Sequence, residues 1–166
     1  MRSEAHWYAV DDGEKKLDRL DEIRDELSIL GPADFDDMNV DADGEQRLRM
    51  LTDELGSRPD SAQWVPLLLA FVERLDGVDL GSPGPIVHAL EALGESYRPY
   101  LADSLRRKAT PLTVWMANRI LNQDPQDAGH WLALLRQAEQ SGSSSPETVH
   151  EAREFLAYQR SRRTRA

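Results

Sequence analysis

The stretch SAQWVPLLLAFVERL, residues 61–75, decides the fold class. Trp64, Leu67, Leu68, Phe71, Val72 and Leu75 fall at i, i+3, i+4, i+7, i+8 and i+11, the stripe of an amphipathic helix. Leu69 and Ala70 add apolar surface outside that stripe, which predicts a central helix. Ser61 stands where an N-cap is wanted. Pro66 is then expected in the first turn, where a missing N–H costs little. The unbroken apolar run Val65–Val72 covers eight residues, and a membrane-crossing helix needs about 20.

The same period extends in both directions. Upstream, Leu17, Leu20, Ile23, Leu27 and Leu30 form one stripe opposite Asp18, Asp21, Glu22, Asp25 and Glu26, and Gly31-Pro32 ends it. Leu48, Leu51 and Leu55 mark a short helix closed by Gly56. Between the two lies GPADFDDMNVDAD, residues 31–43, with five aspartates. It reads as an exposed loop with Phe35, Met38 and Val40 as anchors. Downstream, Pro83 or Pro85 opens a helix to about Leu93, and Ser96 caps one that buries Tyr97, Tyr100 or Leu101, and Leu105. Thr110-Pro111 caps another carrying Leu112, Trp115, Met116 and Ile120. Asp127 caps a helix with Trp131, Leu135 and Ala138. Ser145-Pro146 opens the last, with Val149, Ala152 and Leu156 inward. Only HWYAV, residues 6–10, suggests a strand. The expectation is an all-α protein of seven or eight helices in antiparallel hairpins, stacked as a short right-handed HEAT-like solenoid.

A chain of 166 residues suits one domain at about 150 residues per domain. Residues 1–60 are expected to form acidic helices and a loop, 61–158 the helical core, and 159–166 a frayed basic tail. The absence of cysteine excludes disulfide frameworks, thiol catalysis and Cys-based zinc sites. The opening MRSEAHWYAVDDGE has no apolar segment of signal-peptide type, so a cytoplasmic location is expected.

The net charge of −10 is placed unevenly. Residues 1–60 hold 18 acidic and 8 basic side chains, and residues 61–166 hold 12 of each. Such a balance argues against nucleic-acid binding, which needs a basic face, and favours a cationic protein partner. Asp34, Asp36, Asp37, Asp41, Asp43 and Glu45 are the candidate partner-binding residues. A monomer or weak dimer is expected, with no membrane contact.

Chemistry-bearing motifs are sparse. Phosphate-loop, nucleophile-elbow and HExxH patterns do not occur in the sequence. His88 and Glu91 share a helix face with Glu95 one turn on, an arrangement for a metal or for acid–base work, or else for bracing a packing surface. No third ligand is suggested by spacing, so no metal, cofactor or catalytic residue is assigned. Asn39, Asp41, Asp43 and Gly44 copy the opening of a calcium loop, but Gln46 and Met50 stand where an apolar residue and a glutamate belong. Trp64, Trp115 and Trp131 sit at core spacing. Asn118, Arg119 and Asn122 interrupt an apolar face; Asn122 suits a helix C-cap and Arg119 a carboxylate on a neighbouring helix. The tail RSRRTRA gathers four arginines, for nucleic acid or lipid, or simply for solvent.

PIVHALEAL at 85–93, SYRPYL at 96–101 and TPLTVWMANRILNQ at 110–123 together resemble the all-helical immunity proteins of bacterial polymorphic-toxin systems, and are similar to the family called immunity protein 30. The resemblance spans about residues 60–140 and rests on His88 and Glu91, then Trp115, Asn118, Arg119 and Asn122. It implies a small cytoplasmic protein that binds one cognate toxin domain and blocks it, without enzymatic activity. It also implies that these six residues hold the fold together. A helical-repeat scaffold for another protein partner is the alternative.

Overall fold

The computed structural model describes residues 12–81 and 83–164, with side chains from Arg19 onward. Among these the chain forms eight α-helices and no strand. They are α1 (Asp12–Ile29), α2 (Gly44–Gly56), α3 (Ser61–Arg74), α4 (Pro85–Glu91), α5 (Arg98–Lys108), α6 (Pro111–Leu121), α7 (Ala128–Glu139) and α8 (Pro146–Thr164), with a 3-10 turn at Pro32–Phe35 before α2. The strand suggested at 6–10 and the side chain of Leu17 lie outside the described residues. No helix described is long and apolar enough to cross a membrane.

Neighbouring helices pair as α2–α3, α5–α6, α6–α7 and α7–α8, and alternate helices pair as α1–α3, α2–α4, α3–α5, α5–α7 and α6–α8. Hairpins laid side by side produce this double pattern, because each helix touches its hairpin mate and the equivalent helix of the next hairpin. One buried cluster threads every helix from Leu20 on α1 to Leu156 on α8. Trp64 and Trp131 are its largest fully buried side chains. Each contributes on the order of 3 kcal/mol from burial.

Several helix starts differ from expectation. Asp60 takes the N-cap position of α3 and Ser61 becomes its first helical residue. Pro66 lies inside the helix, six positions after the cap, rather than in its first turn. Its ring removes the donor for the Ala62 carbonyl, and Ala62 is an exposed residue, so the carbonyl lies on the outer side of the helix. Tyr97, not Ser96, precedes α5. Thr110 caps α6 as expected: its Oγ1 accepts from Thr113 N at 3.3 Å, and Thr113 Oγ1 accepts from Thr110 N at 2.9 Å.

The basic tail does not fray at residue 159. Helix α8 continues to Thr164 because its last turns are tied to α6. Gln159 is fully buried and donates Nε2 to Asn118 Oδ1 and Asn122 Oδ1, both at 2.7 Å. Arg162 donates to the Leu121 and Asn122 carbonyls, each at 3.2 Å, and pairs with Asp124 at 2.9 Å. A cation at the carbonyl end of α6 also complements the helix dipole.

Two further links cross long stretches of chain. Arg74, at the end of α3, donates to the Leu27 carbonyl at 2.8 Å and the Leu30 carbonyl at 2.7 Å, satisfying the C-terminus of α1. Asp76, in the loop after α3, accepts from Ser145 N at 3.1 Å and Thr148 Oγ1 at 3.3 Å. Lys108 Nζ lies 3.7 Å from the same carboxylate. The start of α8 is thus pinned by a residue of a distant loop.

Candidate functional site

The acidic segment is an ordered loop built on its own side chains. Asp34 Oδ2 accepts from Gly31 N at 2.7 Å and closes the 3-10 turn. Asp36 Oδ1 accepts from Met38 N at 2.9 Å, a carboxylate-backed turn of the kind aspartate favours. Asn39 donates Nδ2 to the Ala33 carbonyl at 2.8 Å and accepts from Asp41 N at 3.1 Å. Phe35 anchors the loop by packing edge-on against Phe71, with ring centroids 6.3 Å apart.

Met38 and Val40 do not anchor anything: they are 89% and 98% exposed. Their side chains follow the turns set by Asp36 and Asn39, which direct the loop outward at these positions. Gly44 fixes where α2 begins. A Cβ placed there would stand 2.5 Å from the Asp34 carbonyl oxygen, so only glycine lets α2 start against the 3-10 turn.

This arrangement makes a cleft of about 550 Å³. Five of the six candidate residues line it: Asp34, Asp36, Asp37, Asp43 and Glu45. Asp41, the sixth, lies outside the lining. Asp79, from the loop after α3, supplies a further carboxylate that sequence reading missed. It accepts from Gly81 N at 2.8 Å, and Gly81 has φ +83°, the left-handed conformation that glycine tolerates. The one basic side chain in the lining, Arg49, is already paired with Glu45 at 2.9 Å. Among the described residues, the Asp37 and Asp41 carboxylates have no partner, whereas Asp34, Asp36 and Asp79 hold backbone N–H groups.

The calcium-loop mimic resolves into loop structure. Asn39 Oδ1 is engaged by backbone, and Gly44 belongs to α2 and is buried. No group of three or more His, Asp or Glu side chains among the described residues is placed to hold a metal ion.

Toward the other end of α2, Arg19 of α1 forks onto Glu54 at 2.7 and 2.6 Å, and also reaches Glu22 and Glu26 at 2.9 Å. The hydrogen bonds from Arg19 hold the Glu54 carboxyl below its ordinary range.

The residues that carried the family resemblance lie elsewhere, between α4, α6 and α8. Glu91 of α4 accepts a two-pronged bond from Arg119 of α6 at 2.8 and 3.0 Å. The Arg119 guanidinium sits 4.8 Å from the Trp115 ring centroid, a cation–π contact. Trp115 is half-buried rather than a full core residue. Glu91 is directed to Arg119, and His88 is exposed, so the expected His–Glu brace is an Arg–Glu brace. Burial, with the charge of Glu91 behind it, pushes the nearby Tyr97 phenol up. Asn118 and Asn122 receive Gln159, and Asn122 occupies the C-cap position of α6.

The chain matches no protein-family model, and comparison with curated proteins and with solved structures returns no significant match.

Proposed function

We propose that the protein acts by stoichiometric binding: it is an immunity protein of the cytoplasm that captures a basic toxin domain, such as a nuclease domain whose Lys and Arg side chains hold phosphates. The single observation that carries this reading is the composition of the cleft. Six carboxylates line about 550 Å³, of which Glu45 is paired with Arg49 and Asp43 lies 3.7 Å from Arg47, with Met38 and Val40 offered to solvent on the same loop. Carboxylates at such a site attract a cationic partner and raise its association rate. Exposed apolar side chains inside a charged surround supply the contact that slows dissociation. The Glu91–Arg119 and Asn118–Asn122–Gln159 contacts support the framework role that the resemblance implies for those residues.

The test is rescue and co-purification with a toxin domain encoded beside this gene. Survival only in the presence of this protein, with a 1:1 complex on a sizing column, is the expected outcome. Killing regardless of the protein, or no complex, returns the reading to a helical scaffold for another partner. The steering role is tested separately with Asp37→Lys/Asp41→Lys, chosen because neither carboxylate supports the loop. Association should slow by about tenfold or more at low salt and lose much of its salt dependence. An unchanged on-rate would remove the loop from the encounter.

A further inference from the structure

At the far end of the molecule, α7 and α8 enclose a groove of about 520 Å³. Arg136 of α7 and Arg160 and Arg163 of α8 line it. Among the described residues these are the three basic side chains that reach neither a carboxylate nor a backbone carbonyl. Every other described lysine and arginine side chain does so. Residues 61–166 hold as many carboxylates as lysines and arginines, yet among the described residues none of those carboxylates neutralises the three guanidiniums of this groove. Glu139, the acidic residue of the lining, is held by Arg153 at 3.2 Å.

Leu132 and Leu156 add apolar surface to the same lining. Gln159 backs the groove, fully buried, with its Nε2 bonded to Asn118 and Asn122. The groove therefore combines cations and an apolar wall, within the roughly 300–1,000 Å³ typical of small-ligand sites.

We infer that this groove binds a small phosphomonoester with an apolar or aromatic body. The phosphate brings nearly two negative charges and three acceptor oxygens to the guanidiniums, where a single carboxylate brings one charge and two oxygens. The body lies against Leu132 and Leu156. The site is separate from the acidic cleft and does not depend on what that cleft captures.

Calorimetric titration of the full chain with adenosine 5′-monophosphate, 1-naphthyl phosphate and inorganic phosphate tests the assignment. At least one ester should saturate at 1:1, and inorganic phosphate should bind at least tenfold more weakly because it lacks the body. Arg160→Ala/Arg163→Ala should weaken ester binding tenfold or more at an unchanged melting temperature, since neither guanidinium has a partner to lose. Arg106→Ala, which removes a paired arginine elsewhere, should leave binding unchanged. Absence of saturation by both esters at millimolar concentration overturns the inference. So does equal binding by the double variant, or tighter binding of a glutamate-rich peptide than of either ester, which would mark the groove as a protein contact.

Discussion

The two ends of the molecule hold their charges in opposite ways. At the acidic end the charge sits on a loop, and half of the carboxylates in the cleft also build the backbone that carries them: Asp34, Asp36 and Asp79 each accept a main-chain N–H. At the basic end the charge sits on two regular helices, and Arg136, Arg160 and Arg163 support nothing. A helix satisfies its own backbone, so its outward side chains are free for a ligand. A loop has no such internal ladder, and its polar side chains are recruited to close it. Charge reversal is therefore clean at the basic end and is clean at the acidic end only for Asp37 and Asp41.

Gly44→Ala should break the comparison most severely. The new Cβ meets backbone at 2.5 Å, so the 3-10 turn and α2 must part, at a cost of about 2–3 kcal/mol in denaturant unfolding. Gly56→Ala at the other end of the same helix meets no atom within 4 Å and should change stability by less than about 0.5 kcal/mol. Equal effects would show that close approach does not position the cleft. At the basic end, Gln159→Leu leaves the buried amide oxygen of Asn118 without its donor and should cost about 1–2 kcal/mol, with faster amide exchange in the last turns of α8. Unchanged exchange there would mean that Arg162 and apolar contacts hold α8 without Gln159.

The smallest effect separates the ends by pH. Arg19 depresses the Glu54 carboxyl in the folded protein, so its contribution is present above the ordinary glutamate range and is lost as pH falls through the folded value. Glu54→Gln should cost under about 1 kcal/mol at neutral pH, as a part-exposed pair. The difference from the parent should close on acidification in melting curves. A gap that persists in acid would assign Glu54 a role other than its charge. The arginine groove stays charged throughout this range.

Much of the fold was legible because helix boundaries are written in local chemistry. Gly31-Pro32, Thr110-Pro111 and Ser145-Pro146 each mark an end or a start through proline geometry or a hydroxyl cap, and the 3.6-residue stripe names most core positions. The departures have the same origin. Ser61 and Asp60 are both good caps, and with either in that position Pro66 stands past the first turn. Gln159 follows Ala152 and Leu156 at helical spacing, yet a glutamine at an inward position reads as the end of a stripe. Only its pairing with Asn118 and Asn122, about 40 residues away in sequence, makes burial tolerable. The continued spacing was the available signal for α8 running past residue 159.

The cleft was legible as an acidic loop, but its membership was not. Asp79 joins through a tertiary approach that no local pattern encodes, and Asp41 leaves because the Asn39 turn directs it elsewhere. Likewise, nothing in the sequence distinguishes Arg162, which holds Asp124, from Arg163, which holds nothing. Pairwise contacts also settle which helices are neighbours while leaving the superhelical hand outside what periodicity can specify.

Asp76 has a topological consequence. By gripping Ser145 and Thr148 it joins positions 69 and 72 residues apart, and closing a flexible segment of that length costs about 4 kcal/mol of chain entropy. Helices α4 to α7 all lie inside the resulting noncovalent ring. Any one of them that opens alone remains tethered to a closed circuit, and the full entropy of release is gained only when the clasp itself lets go. What this carboxylate adds is cooperativity: it closes a circuit around four helices that the shared core already joins.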